Sequence, residues 1–559
     1  MLRDVRQSKP LRCKAYPKRV TSCHNPRASL HPTAPRLPTR GGILAATDRC
    51  GKACDDPMTT HPPTPLYRPP PAFDLLHLPL IGRLLKQKRG RLYLQIPLLV
   101  VALLLAYDGF TGAQRAGENL ATVGAWVHYR GLVILALLFA GNLFCMGCPF
   151  TLPRTLARRL SKSGRRFPKA LRTKWVAFGG LFGLFFLYEW LDLWASPALT
   201  AWVIVAYFLS AFVLEVVFTE SAFCKYVCPL GTFNFVYSTI SPFQIKAKDP
   251  TRCQTCEGKE CLKGSYAPSP VILIDAITDG VPTQTHLHDR SGVLGCGTLL
   301  YVPQMRTNLE CTLCLDCVRA CPHDNVALAL RSPTRELRDP KAYPRRWDVG
   351  FLFVALSFMG LTNAFGMIPP MYALMESIAR ATGIKSEGLL LFILFAIGNI
   401  VIPAALSLAA ARAALRLSGM AVHGRRWRNT FAAFAPTFIP FGLGVWAAHY
   451  GFHFLIGAQT IIPVFQNFLV DHRIMLLGEP NWAVGALFRL EQIAVIQGVA
   501  LVGGYLVSMA LSRRVALKLF GRRGLLAWLP YALLFLGMLI AALAILGQPM
   551  EMRGMMTFN

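Results

Sequence analysis

The chain has 559 residues, 53% of them hydrophobic and 16% charged, with a formal net charge of +30. A mean hydropathy of +0.40 points away from an ordinary soluble enzyme and toward the bilayer. The placement of the charge argues against a nucleic-acid binder, because Lys and Arg gather in short loops between apolar runs, as cytoplasmic loops of membrane proteins do. Twelve of the 16 cysteines fall between Cys145 and Cys321, mostly as close pairs. That is metal-ligand spacing in a reducing compartment, not the disulfide framework of a small secreted domain.

The N-terminal segment 1–90 reads as a basic, Pro-rich disordered tail without the apolar core of a signal peptide, and Met58 is an alternative start. Its cysteines Cys13, Cys23, Cys50 and Cys54 are not clustered and are given no role. Arg83, Lys86, Lys88, Arg89 and Arg91 then precede the first apolar run, "LYLQIPLLVVALLLAY", which places the N-terminus in the cytoplasm. A second run, "GLVILALLFAGNLF", leads to a loop with nine Lys/Arg and no acid, "RTLARRLSKSGRRFPKALRTK". The third and fourth runs, "WVAFGGLFGLFFLYEW" and "AWVIVAYFLSAFVLEVVF", are joined by the uncharged "ASPALT" and complete a four-helix membrane region over 91–245. Within it "FCMGCPF" (Cys145, Cys148) closes the second helix and "FCKYVCPLG" (Cys224, Cys228) closes the fourth. These four thiols are candidates for a further cluster, metal site or redox dithiol, against a plain reading in which small buried cysteines pack helix ends. The segment 232–245, too short to span and broken by Pro242, is expected at the membrane interface.

Residues 246–346 form a polar, cysteine-rich insert. "CTLCLDCVRACP" carries Cys311, Cys314, Cys317 and Cys321 as C-x2-C-x2-C-x3-C-P, the ligand run of bacterial ferredoxins. Structural zinc usually takes two well-separated Cys pairs instead. Upstream lie Cys253, Cys256 and Cys261 in "CQTCEGKEC" and, after 34 further residues, Cys296. Eight thiolates suffice for two [4Fe–4S] cubes. In ferredoxins the fourth cysteine of the run serves the other cluster, which groups Cys253, Cys256 and Cys261 with Cys321, and Cys296 with Cys311, Cys314 and Cys317. The long insertion leaves open an exchange of roles between Cys261 and Cys296. His286 and His288 in "HLHDR" read as a solvated loop.

Five more apolar runs, near 349–371, 389–411, 430–453, 493–511 and 525–547, make 347–559 a second membrane region. Two loops with five Lys/Arg each alternate correctly with an outside loop over 456–492. The expected fold is therefore a polytopic α-helical membrane protein of about nine transmembrane helices with an inserted cytoplasmic α+β 2[4Fe–4S] ferredoxin domain and a periplasmic C-terminus. His449 and His453 in "AHYGFHF" share a helix face. Counting 1.5 Å per residue from Thr430 puts His449 about 28 Å along its helix, near the outer surface. His128, His423 and His472 are assigned to loops, so haem is not expected and interfacial packing of the histidines is. Glu215 is an intramembrane acid poised for proton uptake or snorkelling, and Glu189 and Asp192 are expected wet at an outer helix end.

On "CKYVCP" and the ferredoxin run, residues 93–330 resemble the membrane polyferredoxins of the NapH/NosR/CcoG kind, which join C-x3-CP helix ends to a cytoplasmic 2[4Fe–4S] domain. "CMGCP" is one residue shorter than that motif. The resemblance implies an electron-transfer component of an oxidoreductase system in the bacterial inner membrane. A cytoplasmic ferredoxin, flavodoxin or dehydrogenase would be the donor, and a quinone or partner redox subunit the acceptor; no nucleic acid is implicated. Alternatives are a copper reductase serving respiratory-enzyme maturation, or a redox-sensing or ion-coupled membrane protein. Some such proteins carry flavin on a Thr in [ST]-G-A-T. Here "DGFTGAQ" puts Gln114 at that position, without a hydroxyl to esterify, so no covalent FMN is expected.

Overall fold

The computed structural model describes residues 73–153, 165–218, 220–265, 292–339, 341–422 and 426–549. All belong to the unit Leu66–Asn559. The four N-terminal cysteines, His286, His288 and His423 lie outside the described residues. Seven segments are apolar and long enough to cross a membrane, and the protein is a polytopic helical membrane protein. In chain order the main helices are α1 (Pro79–Lys86), α2 (Leu92–Thr111), α3 (Leu120–Phe139), α4 (Lys174–Trp190), α5 (Pro197–Val217) and α6 (Pro229–Tyr237). Then come α7 (Trp347–Phe365), α8 (Glu387–Leu417), α9 (Arg426–Gly457), α10 (Leu490–Phe520) and α11 (Gly524–Leu546). The seventh segment, Leu490–Leu546, contains both α10 and α11, while α4, at 17 residues, is shorter than the spans.

Uninterrupted apolar sequence produces these helices because, in lipid, each backbone N–H and C=O must find its partner within the segment. Their outer faces stay apolar and exposed, as at Leu103, Trp202, Leu209 and Ile540. Helices α7 and α9 are the most enclosed. Close approach uses missing side chains: a Cβ on Gly444 of α9 would sit 2.6 Å from the Ala500 carbonyl of α10, and one on Gly504 would meet the Pro440 carbonyl equally closely. Two hydrogen bonds align α4 with α7. Asp348 accepts from the Lys174 amide at their starts (2.7 Å), and Asn363 donates to Glu189 near their ends (3.1 Å). The pair therefore defines two faces, one carrying the cysteines and one opposite.

The insert is built on two small antiparallel pairs. Strand β1 (Phe243–Ala247) pairs with β4 (Val326–Leu330) in the register Phe243↔Leu330, and β2 (Gly264–Ser265) pairs with β3 (Val293–Leu294). Ile245, Cys311, Leu313, Val318 and Leu328 form its own core with Leu76, Leu85 and Met146.

Four expectations need revision. Helix α3 begins at Leu120, not Gly131, so His128 and Arg130 lie inside a span and not in a loop. The interfacial segment 232–245 is instead a buried helix end followed, after Pro242, by β1. The outside loop 456–492 contains the helix Ile461–Asp471. Within the tail, residues 75–77 and α1 are helical, and Asp74 holds the Leu76 and Leu328 amides, tying the tail's end to β4.

Candidate functional site

The thiols fall into three sets of four. Cys296, Cys311, Cys314 and Cys317 line one small cavity with Ile245, Leu300 and Leu313. The second set is pinned by one side chain: Asn325 donates its Nδ2 to Cys253 Sγ (3.3 Å) and its backbone N–H to Cys321 Sγ (3.4 Å). Cys261 lies within electrostatic reach of both, and Cys256 of Cys253 and Cys261. The folded chain thus brings Cys321 to Cys253, Cys256 and Cys261, and Cys296 to the hairpin Cys311–Cys317, the crossed grouping expected from the ferredoxin run.

The backbone bends unusually to achieve this. Six of the eight non-glycine residues with positive φ among the described residues are Lys259, Leu299, Glu310, Leu313, Leu315 and Asp324, all between or beside these cysteines. Each left-handed residue costs on the order of 1–3 kcal/mol, and such residues gather where a site demands them. Reversed turns of this kind aim successive N–H groups inward, a cradle for negative charge. Consistently, Cys296 Sγ accepts from the Leu300 N–H at 3.3 Å. Burial pushes the Cys311 and Cys317 thiols far up and those of Cys261 and Cys314 to about 11. Without a cation these sulfurs stay protonated, and thiolate ligation requires the positive charge of a metal centre. Among the described residues no group of three or more His, Cys, Asp or Glu is arranged to hold a metal ion.

The third set joins the two Cys-Pro motifs. Cys224 lies within electrostatic reach of Cys228, Glu215, Cys148 and Cys145. The motifs prove to be helix starts as much as helix ends. Cys228 caps α6, its Sγ accepting from the Gly231 N–H at 3.1 Å, with Pro229 at the first helical position. Cys148 stands in the same place before Pro149–Thr151. Asn234 of α6 donates to Cys145 Sγ at 3.5 Å.

Three contacts join this set to the insert. Asn142 Nδ2 donates to the Cys311 carbonyl at 3.0 Å. Arg91 donates through Nε to the Met146 carbonyl (2.8 Å) and through a terminal nitrogen to the Cys145 carbonyl (3.4 Å), while its charge also reaches Cys314. Lys174 and Lys225 clasp Glu310 at 2.8 and 3.3 Å, and Lys225, inside the "CKYVC" motif, also donates to the Thr298 carbonyl. Burial alone would raise the Glu310 carboxyl, but the two ammonium groups hold it below its ordinary value. In the sequence Arg91 shows only as a topological charge. Nothing in the linear pattern distinguishes it from Arg89.

Beside the third set, a cavity of about 530 Å³ opens among α2, α3, α4 and α5. Phe150 and Leu230, each two residues beyond a Cys-Pro cysteine, line one part, and Trp126, Arg130 and Tyr188 another. The Arg130 guanidinium lies over the rings of Tyr188 (4.2 Å), Trp126 (4.6 Å) and Tyr450 (4.8 Å). His449 and His453 are both buried in the helical core, with ring centroids 5.0 Å apart and His449 Nε2 3.3 Å from Met367 Sδ. The burial follows from α9 being covered on nearly every side. His128 faces carbonyls with both nitrogens, those of Val123 (3.1 Å) and Ala458 (3.0 Å). Gln114 spans the Gly109 and Gly112 carbonyls and the Ala198 N–H.

No protein-family model, curated protein or solved structure matches the chain. The polyferredoxin likeness rests on the motifs alone.

Proposed function

We propose that the protein is a membrane-bound iron–sulfur electron-transfer component of an oxidoreductase system in the bacterial inner membrane. It takes electrons from a cytoplasmic ferredoxin, flavodoxin or dehydrogenase and delivers them to a quinone or a partner redox subunit. In this reading it crosses the membrane nine times, with α4 and each of α10 and α11 as spans. The insert is a ferredoxin-like domain on the cytoplasmic face. Cys253, Cys256, Cys261 and Cys321 hold one [4Fe–4S] cube, and Cys296, Cys311, Cys314 and Cys317 the other. Cys145, Cys148, Cys224 and Cys228 hold a further cluster or metal. Bound cubes supply one-electron redox chemistry at potentials tuned by hydrogen bonds to sulfur and by burial.

The observation carrying this reading is the succession of three four-thiol sets ending beside an apolar cavity. The chain's own residues do the supporting work. Asn325 and the Leu300 amide bond the sulfurs, Asn142 and Arg91 fasten the insert to the membrane region, and the apolar cores of both regions exclude water.

Anaerobic purification followed by iron and sulfide assay and low-temperature EPR tests the reading. Two four-iron cubes predict about 8 iron atoms per chain, and a third would add about 4. Colourless protein carrying zinc would overturn it.

A further inference from the structure

A smaller cavity of about 40 Å³, more polar than the apolar one though still lined mainly by apolar surface, adjoins it, sharing Trp126, Arg130 and Tyr188 as a common wall. It is lined also by Glu189, Asp192, Tyr372 and His453. A water molecule needs roughly 10–15 Å³ of such space and a few polar partners, so the polar cavity has room for water. Glu189 is fifteen residues along α4 from Lys174, or about 22 Å at 1.5 Å per residue. The polar cavity therefore lies at the face opposite the cysteines.

The larger cavity has the properties of a site for a lipid-soluble ring compound. Its volume falls within the roughly 300–1,000 Å³ of small-molecule pockets. Val101 and Leu132 in its wall are 49% and 54% exposed, so the wall of the cavity reaches the apolar outer surface. Inside, the Tyr129 hydroxyl and Asn234 Oδ1 are buried without a hydrogen-bond partner, although Asn234 also touches Cys145. A donor and an acceptor left unmatched in an apolar chamber are costly unless a ligand completes them. On the far side of the Arg130 wall, both ring nitrogens of the buried His453 also lack partners.

We propose that the apolar cavity binds a lipid quinone next to the Cys145/Cys148/Cys224/Cys228 set, and that the quinone exchanges protons with the opposite membrane face through the Arg130–Glu189–His453 cavity. The proposal rests on the electron-transfer reading above. Reduction takes two electrons, delivered singly by two molecules of a reduced ferredoxin- or flavodoxin-class donor, which leave oxidised. Two protons enter from the opposite face, and the two ring carbonyls become hydroxyls. Electrons and protons then arrive from different sides, and turnover charges the membrane.

The test uses full-length protein in vesicles containing a short-chain menaquinone, with the pH dye pyranine in the lumen. External dithionite, which does not cross the bilayer, reduces only molecules whose insert faces outward. Relative to protein-free vesicles, the lumen should become alkaline as quinone is reduced. Glu189→Gln and His453→Leu should slow that alkalinisation roughly a hundredfold or more, the scale for losing one proton-transfer group, without altering EPR spectra. Separately, quenching of the fluorescent quinone analogue 2-heptyl-4-hydroxyquinoline N-oxide reports binding. Tyr129→Phe should weaken it roughly tenfold, the loss of one hydrogen bond to a buried group, and Val203→Trp should abolish it by filling the cavity. Quinone reduction with an unchanged lumenal pH overturns the proton route. Normal iron–sulfur EPR without analogue binding overturns the quinone site and leaves the electron-transfer reading standing. Absence of the EPR signals overturns that reading itself.

Discussion

The side-chain amide of Asn142, three residues before the first Cys-Pro cysteine, donates to the main-chain carbonyl of Cys311, the first cysteine of the ferredoxin run, at 3.0 Å. The residues are 169 positions apart, and both are buried. This bond fixes how closely the insert approaches the membrane thiols, and distance dominates electron-transfer rates. Asn142→Leu keeps the volume but leaves the carbonyl unmatched, at a cost of about 1–3 kcal/mol. Iron content should persist, the thermal midpoint should fall, and electron delivery from the insert to quinone should slow. An unchanged rate would mean that electrons do not cross at this contact.

Cysteine grouping gives a second prediction. Asn325 touches Cys253 and Cys321 together, while Cys296 shares its cavity with Cys311, Cys314 and Cys317. Cys261→Ser and Cys321→Ser should therefore remove the same EPR signal, and Cys296→Ser should remove the one lost in Cys317→Ser. If Cys261→Ser instead matches Cys317→Ser, the two sets have been wrongly drawn.

Arg91 places its charge near Cys314 and Cys145. A positive charge favours the reduced, more negative state of a neighbouring centre, so Arg91→Met should lower its potential. A unit charge acting over about 8–15 Å at an effective dielectric near 20 contributes about 1–2 kcal/mol. At about 59 mV per 1.4 kcal/mol for one electron, the drop is about 40–80 mV. EPR-monitored redox titration measures it, and a rise in potential would contradict the placement of the charge.

Arg331 and Glu336 form an ion pair that is almost wholly enclosed. The arginine also donates to the Ser238, Thr239 and Ser241 carbonyls, and the glutamate accepts from the Asn308 N–H and the Tyr343 hydroxyl. Glu336→Ala strands a buried guanidinium, which typically costs about 3–5 kcal/mol. Thermal unfolding in detergent should show a large loss of stability, partly recovered by also making Arg331→Met. Equal stability of single and double variants would show that the pair is not coupled.

Local sequence sufficed for the existence of the apolar spans and for the close spacing of the cysteines. Apolar runs of span length become helices in lipid, since a lone segment there can satisfy its backbone only within itself, and the C-x2-C-x2-C run brings three thiols together within one tight hairpin. The crossed partnership of Cys321 was expected from the ferredoxin rule that the fourth cysteine serves the other cluster. Tertiary structure alone decided what depends on neighbours distant in the chain. Arg130 was hidden because a guanidinium reads as a loop residue until three aromatic rings from α3, α4 and α9 surround it. Arg91 and Asn142 looked like ordinary polar residues until folding set them between two thiol sets. The two cavities have no sequence signature at all. They are the space left where helices fail to touch, and no residue encodes that by itself.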